Sequence, residues 1–252
     1  MIWILPPRRR LSPPGGFFPE KMRHTRVKIL LLLCALSFAA QISCAADMAR
    51  KSPYAQKVKR PTTGEVYVRV TVKKQKKETC NPTSMSIILN YFGVFVSPRA
   101  LQKASGGTDA YKYSSYLREQ VSRCGMEMIP FPPRMDKSKL FECVIRAVDC
   151  GLPMQWLVDL RRAPAYDVNE YQKAQMAAGT AGHARVMHGY VLDRRTRELR
   201  GFIFTDPWGL RRRTITADDM AGMTLGFYLV VPKGFDPAVV NWIVGAPPRR
   251  RK

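Results

Sequence analysis

From residue 80 onward the chain carries helical patterns first and strand patterns afterwards, and this segregation limits the fold more than any other feature. Cys80 to Gly93 reads as a helix. Asn81 is expected at the N-cap, Pro82 in the first helical position and Gly93 at the left-handed stop, with Met85, Ile88, Leu89 and Phe92 sharing one buried face. A second helix is expected from Ser97-Pro98, and a third over about Ala110 to Arg123, closed by Cys124-Gly125. Met126 to Phe131 reads as extended, Lys137 to Cys150 as helical, and Leu152 to Leu160, with Trp156 inside it, as a buried strand. Arg161 to Thr180 is an insertion with helical potential. Strands follow at His183 to Leu192, Leu199 to Thr205 and Leu225 to Val231, with a turn near Asp193-Arg194 and a connecting segment over Thr214 to Met220. Ahead of the first helix, Val66, Val68, Val70 and Val72 alternate along Glu65 to Val72, a further strand. No internal repeat is found, and the expected class is α+β.

The ends read differently. Arg23, Arg26 and Lys28, the short apolar run Ile29 to Ala40 and the small residues Ser43-Cys44-Ala45 have the layout of a secretory signal peptide over 22–45. Residues 1–21, rich in Pro and Arg, are expected to be an untranslated or disordered extension, with Met22 as the real start. The apolar run is short for a bilayer span, so no transmembrane segment is expected after cleavage. Lipidation at Cys44 is an alternative, although Gln41 stands where such signals want an aliphatic residue. Residues 46–63 read as a flexible basic linker, 64–235 as the folded domain and 236–252 as a basic tail. The localisation that follows is secreted or periplasmic.

The chain has 42 basic and 19 acidic residues, a formal net charge of +23. The charge collects in runs such as Lys73 to Lys77, Arg194 to Arg200, Arg211 to Arg213 and Arg249 to Lys252. Such patches suit an anionic envelope surface or a solvated face; no aromatic-basic interleaving marks a specific nucleic-acid site. Cys80, Cys124, Cys143 and Cys150 lie beyond the cleavage site, and with Cys80 free at most one bridge forms among the other three. Cys143 and Cys150, seven apart on a helix, sit about 10 Å apart by helical rise, too far to bond directly. No Cys-x-x-Cys pair is present to suggest zinc.

Three residue types distant in sequence make a hydrolytic set: Cys80 before a helix, where unpaired amides and the dipole favour thiolate, His183 on a strand, and Asp206 after the next strand. A thiol near its free pKa is mostly protonated at neutral pH, so it needs a base, and the base needs a third group to hold its tautomer. His188, five residues beyond His183, falls on the opposite strand face, so the two histidines do not make a metal pair.

Cys80-Asn81-Pro82-Thr83-Ser84 before an apolar helix, Gly182-His183 before a strand ending Gly189-Tyr190, and Asp206-Pro207-Trp208-Gly209 resemble the papain-like cysteine peptidases. The nearest branch is cysteine peptidase family thirty-nine, which contains the leader peptidases that trim bacteriocin precursors after a double glycine. The resemblance covers about Gln75 to Pro232. It implies a papain-like fold in which N-terminal helices carrying the cysteine pack on an antiparallel sheet carrying the histidine and aspartate. It implies Cys80 as nucleophile, His183 as general base and acid, Asp206 as orienting partner and Gln75 as an oxyanion donor, although Gln75 is one residue closer to Cys80 than papain-like enzymes have it. It further implies a monomer acting on a peptide or protein without metal or organic cofactor, and His188 as structural and Trp208 beside the cleft or in the core. Asn81 departs from the family's glycine. It either caps the helix or crowds the acyl intermediate, which would leave a peptide-binding module without turnover.

Overall fold

A computed structural model describes residues 47–76, 79–104, 110–133, 135–179, 181–209 and 212–245. The chain divides into two units, Met1–Ala45 and Ala46–Lys252, and all described residues belong to the second. The expected signal peptide, the 1–21 extension, Cys44 and the terminal arginine run lie outside the described residues.

The order is β1 (Val58–Lys59), β2 (Glu65–Val68), α1 (Cys80–Tyr91), α2 (Pro98–Ala104), α3 (Ala110–Arg123), β3 (Met126–Pro130), α4 (Lys137–Asp149), β4 (Met154–Asp159), α5 (Glu170–Ala177), β5 (Gly182–Leu192), β6 (Leu199–Thr205), β7 (Arg212–Thr216), α6 (Ala217–Met223), β8 (Thr224–Pro232) and α7 (Pro237–Val244). The strands form one antiparallel sheet, β1-β2-β5-β4-β8-β3, with β6 on β5 and β7 on β6. β5 is the hub. One of its edges is shared by β4 over its first half and β2 over its second, while its other edge carries β6.

Alternation along the strands feeds two cores, as period-two geometry requires. On one face Trp156, Phe204, Phe227 and Leu229 meet Val144 and Val148 of α4 and Ile243 of α7. On the other, Val186 and Val230 meet Ile88 and Leu89 of α1 and Leu117 and Val121 of α3. The α+β class and the helices-on-antiparallel-sheet arrangement are both realised.

Four local expectations change. Helix α1 starts earlier: Thr79 is the N-cap, without a side-chain cap bond, and Cys80 is already helical. Asn81 is therefore not the cap; its side-chain oxygen accepts from Gln155 Nε2 at 2.7 Å. The helix still ends at Gly93, whose φ of +85° supplies the left-handed stop. It is buried all round from Pro82 to Leu89 rather than along one face, because sheet and α3 enclose it. Second, the 214–220 connection contains the edge strand β7 and the cap of α6, where Thr216 Oγ1 accepts from Asp219 N–H. Third, the expected flexible linker over 46–63 is packed onto the fold at Ser52 and Tyr54. The Ser52 hydroxyl donates to Cys150 O at 2.6 Å, and the Tyr54 ring meets Phe92 edge-on at 4.9 Å. Gly151, at φ +75°, leaves room for this approach: a Cβ there would lie 2.0 Å from Tyr54 O. Fourth, the segment after 236, expected as a tail, begins with α7, which buries Val239, Ile243 and Val244 and lets Arg146 donate to Trp242 O. Apolar residues at helical spacing outweighed the Pro and Arg content that suggested loose ends.

Candidate active site

Cys80 is the first residue of α1, where backbone N–H groups have no helical partner. The helix is fastened to the sheet at this end. The Ser84 hydroxyl lies 2.9 Å from Ala184 O and 2.8 Å from Cys80 O, and Gln155 Nε2 also reaches Asn81 O at 3.2 Å. These ties bring Cys80 to the start of β5, where His183 is the second residue. β6 returns antiparallel beside β5, pairing Thr205 with Val186, so Asp206 emerges next to His183 and Arg185. Strand alternation turns His183 and Arg185 to one side.

The sequence-predicted triad is brought together. His183 Nε2 lies 3.0 Å from Asp206 Oδ1, and Cys80 and His183 lie close enough for each to shift the other's ionisation. With Nε2 committed to Asp206, Nδ1 is the nitrogen left for the thiol. Cys80 is half-buried, whereas His183 and Asp206 are buried. Burial pushes the Cys80 thiol up, but the hydrogen bond and charge of His183, with amides of Ala184 and Asn81, outweigh it and hold the thiol below its ordinary value. Burial likewise works against a charged His183, yet the Asp206 carboxylate raises it to about 9. Asp206, in spite of desolvation, is held far below the carboxylate range by His183, Arg185 and the Trp208 N–H. The arrangement favours a thiolate beside an imidazolium, the charge state a nucleophilic thiol needs at neutral pH.

Gln75 is buried, and its backbone N–H donates to Pro207 O at 3.0 Å, tying the loop before α1 to the turn after Asp206. Its Oε1 has no hydrogen-bond partner. Trp208 stacks on Tyr171 of α5, ring centroids 3.9 Å apart. His188 does not join the site. It sits where the β5–β6 register shifts, its Nδ1 bonded to Val68 O at 2.9 Å and its Nε2 to Thr205 Oγ1 at 3.1 Å, and burial lowers it to about 4. All four described cysteines are free, and Cys143 and Cys150 are pushed up by burial to about 11 and about 12. Among the described residues no group of three or more His, Cys, Asp or Glu is placed to hold a metal ion, and no helix is long and apolar enough to cross a membrane. A cavity of about 350 Å³ runs from Leu157 past Gly226 and Tyr228 to Pro130 and Phe131, and Cys80, His183 and Asp206 are not among the residues that line it.

Sequence reasoning missed three residues that bear on Asp206. Arg185 Nε donates to its Oδ2 at 3.0 Å, Gln172 Nε2 donates to the same oxygen at 3.2 Å, and Asp167 pairs with the far side of the Arg185 guanidinium. One signal was legible: a lone arginine inside Gly182 to Leu192, a strand otherwise rich in apolar residues. Asp167 and Gln172 had none, because the 161–180 insertion bears no fixed spacing to Asp206.

No curated protein matches the chain. Among solved structures it is similar to a double glycine motif protease from an AMS/PCAT transporter in complex with the leader peptide (15% identity, 66% of this chain, 93% of that one, TM-score 0.43). It is similar also to the peptidase domain of Streptococcus ComA, a bi-functional ABC transporter involved in a quorum sensing pathway (14%, 66% and 98%, TM-score 0.44). A third is a C39-like peptidase from Bacillus anthracis (13%, 66% and 96%, TM-score 0.44). The model of the Peptidase_C39 like family matches residues 65–227, a stretch holding the thiol, the imidazole and the carboxylate together, and this protein belongs to that family.

Proposed function

We propose that the protein is a secreted thiol hydrolase that cleaves peptide bonds through an acyl-enzyme on Cys80. The observation that carries the reading is the buried His183–Asp206 pair, 3.0 Å apart, next to a half-buried Cys80 at the start of α1. His183 holds the thiol proton, the thiolate attacks the carbonyl, and His183 then protonates the leaving amine. Water, deprotonated by the freed imidazole, attacks the thioester and releases the acid with Cys80 restored. Asp206 keeps the ring in register throughout. The oxyanion is received by the Cys80 backbone N–H at the helix start and by the Gln75 side-chain amide, each worth about 3 kcal/mol in comparable enzymes. Family membership supports peptide as the substrate class. Export rests on the basic, apolar and small-residue order of Met22 to Ala45.

The test is hydrolysis of a mixed peptide library by the full chain, with and without iodoacetamide. Turnover that is lost both on alkylation and in Cys80→Ala is expected. Full turnover by Cys80→Ala would overturn the reading. Selective peptide binding with no turnover by the unmodified protein would favour the binding-only groove instead.

A further inference from the structure

Arg185 is the largest charged side chain in the interior, with no exposed surface, and it lies two residues from the proposed base on the same strand. A buried guanidinium costs several kcal/mol unless every donor is answered. Here Nε goes to Asp206 Oδ2 at 3.0 Å, Nη1 to Asp167 Oδ2, Nη2 to Asp167 O at 3.3 Å, and the plane lies over the Phe204 ring at 4.7 Å. Asp167 is in turn paired with Arg213 Nη1 of β7 at 3.2 Å. Asp206 thus divides its two oxygens. Oδ1 faces His183 and accepts from Trp208 N–H at 2.8 Å, and Oδ2 is filled by Arg185 and Gln172. The charged groups around this carboxylate are Cys80 from α1, His183 and Arg185 from β5, Asp167 from the turn before α5 and Arg213 from β7; α5 adds only the neutral Gln172.

We propose that Arg185 is a positioning residue of the reaction, clamping Oδ2 of Asp206 so that Oδ1 meets the imidazole, and that Asp167 of the insertion orients and neutralises Arg185. The inference rests on the catalytic reading of Cys80, His183 and Asp206. It differs from plain core packing in sign as well as size. Charge repulsion alone would make removal of a cation ease protonation of His183. Loss of the clamp instead frees the carboxylate to turn from the ring or take up a proton, so His183 loses its counter-charge and the thiolate is harder to form.

The experiment follows carbamidomethylation of Cys80 by iodoacetamide against pH, read by peptide mass mapping, in the full-length protein and in Arg185→Met, Arg185→Lys and Asp167→Asn, each checked for folding by circular dichroism. Arg185→Met should move the alkylation midpoint up by about one pH unit, a tenfold loss of thiolate at a given acidic pH. It should lower kcat by about 100-fold with KM nearly unchanged. Arg185→Lys should recover part of both effects, and Asp167→Asn should show a smaller shift in the same direction. A folded Arg185→Met with an unchanged or lowered midpoint overturns the proposal. Should that variant not fold, native midpoints in both Arg185→Lys and Asp167→Asn overturn it equally. A wild-type Cys80 that alkylates only as an ordinary thiol would instead sink the catalytic reading itself.

Discussion

Each half of β5 holds one buried histidine, yet the chemistry around the two rings is opposite. In the first half His183 meets a carboxylate that is itself held by an arginine, and the ring is raised to about 9. In the second half His188 meets only a carbonyl and a hydroxyl, and burial lowers it to about 4. Desolvation acts the same way on both. The difference is the neighbouring charge, Asp206 and Cys80 raising His183 while Arg212 lowers His188 further, and it separates an imidazole able to carry a proton in a reaction from one that bridges two strands.

The sharpest way to break this contrast is Asp206→Asn, which keeps the side chain's size and removes its charge. His183 should then drop from about 9 towards or below 6.5, resembling His188, and kcat should fall by about 10³ to 10⁴-fold, as in other triads that lose their carboxylate. An imidazole still near 9 by NMR titration would refute the account. In the unaltered protein, kcat/KM of the proposed hydrolysis should rise with Cys80 ionisation below the ordinary thiol value of 9.0 and decline near pH 9 as His183 loses its proton.

The second histidine provides the control. His188→Leu leaves Val68 O and Thr205 Oγ1 without this partner and should cost about 1 to 3 kcal/mol of stability by denaturant unfolding, with kcat of the folded protein unchanged. The two rings also predict opposite pH dependences. Unfolded His188 takes a proton near 6.5 that the folded ring refuses until about 4, so its contribution weakens as pH falls through that window. Folded His183 keeps its proton to about 9, so its contribution is complete below 6.5 and is lost as pH rises through 9. Melting temperatures of His188→Leu should therefore fall less between pH 6.5 and 4 than those of the unaltered protein. The smallest effect is expected from Tyr171→Leu, which removes the stack on Trp208 for about 1 kcal/mol and leaves the His183 titration in place.

Much of this was legible in the residues. The helix ending at Gly93, the start of α2 at Ser97-Pro98 and the strands β4, β5, β6 and β8 announce themselves through spacing, stop signals and alternation, which act over a few residues. The ends of the fold were misjudged because Ser52 and the α7 face gain their stability from partners about a hundred residues away, and Tyr54 from Phe92 on another element. Asn81 was misread as a cap for a related reason: its side chain is claimed by Gln155 across the α1–β4 contact, which no local pattern reveals.

Sequence by itself determined which residues are candidates for the chemistry: a thiol at a helix start, an imidazole on a strand and a carboxylate just after the next strand, in an α+β chain. Only the tertiary structure decided their charge states, because a pKa depends on distance, desolvation and neighbouring charge, and those are set when β6 folds back beside β5 and the insertion delivers Asp167 and Gln172. The Arg185 clamp belongs wholly to that second level, since it exists only where three separate segments converge on one carboxylate.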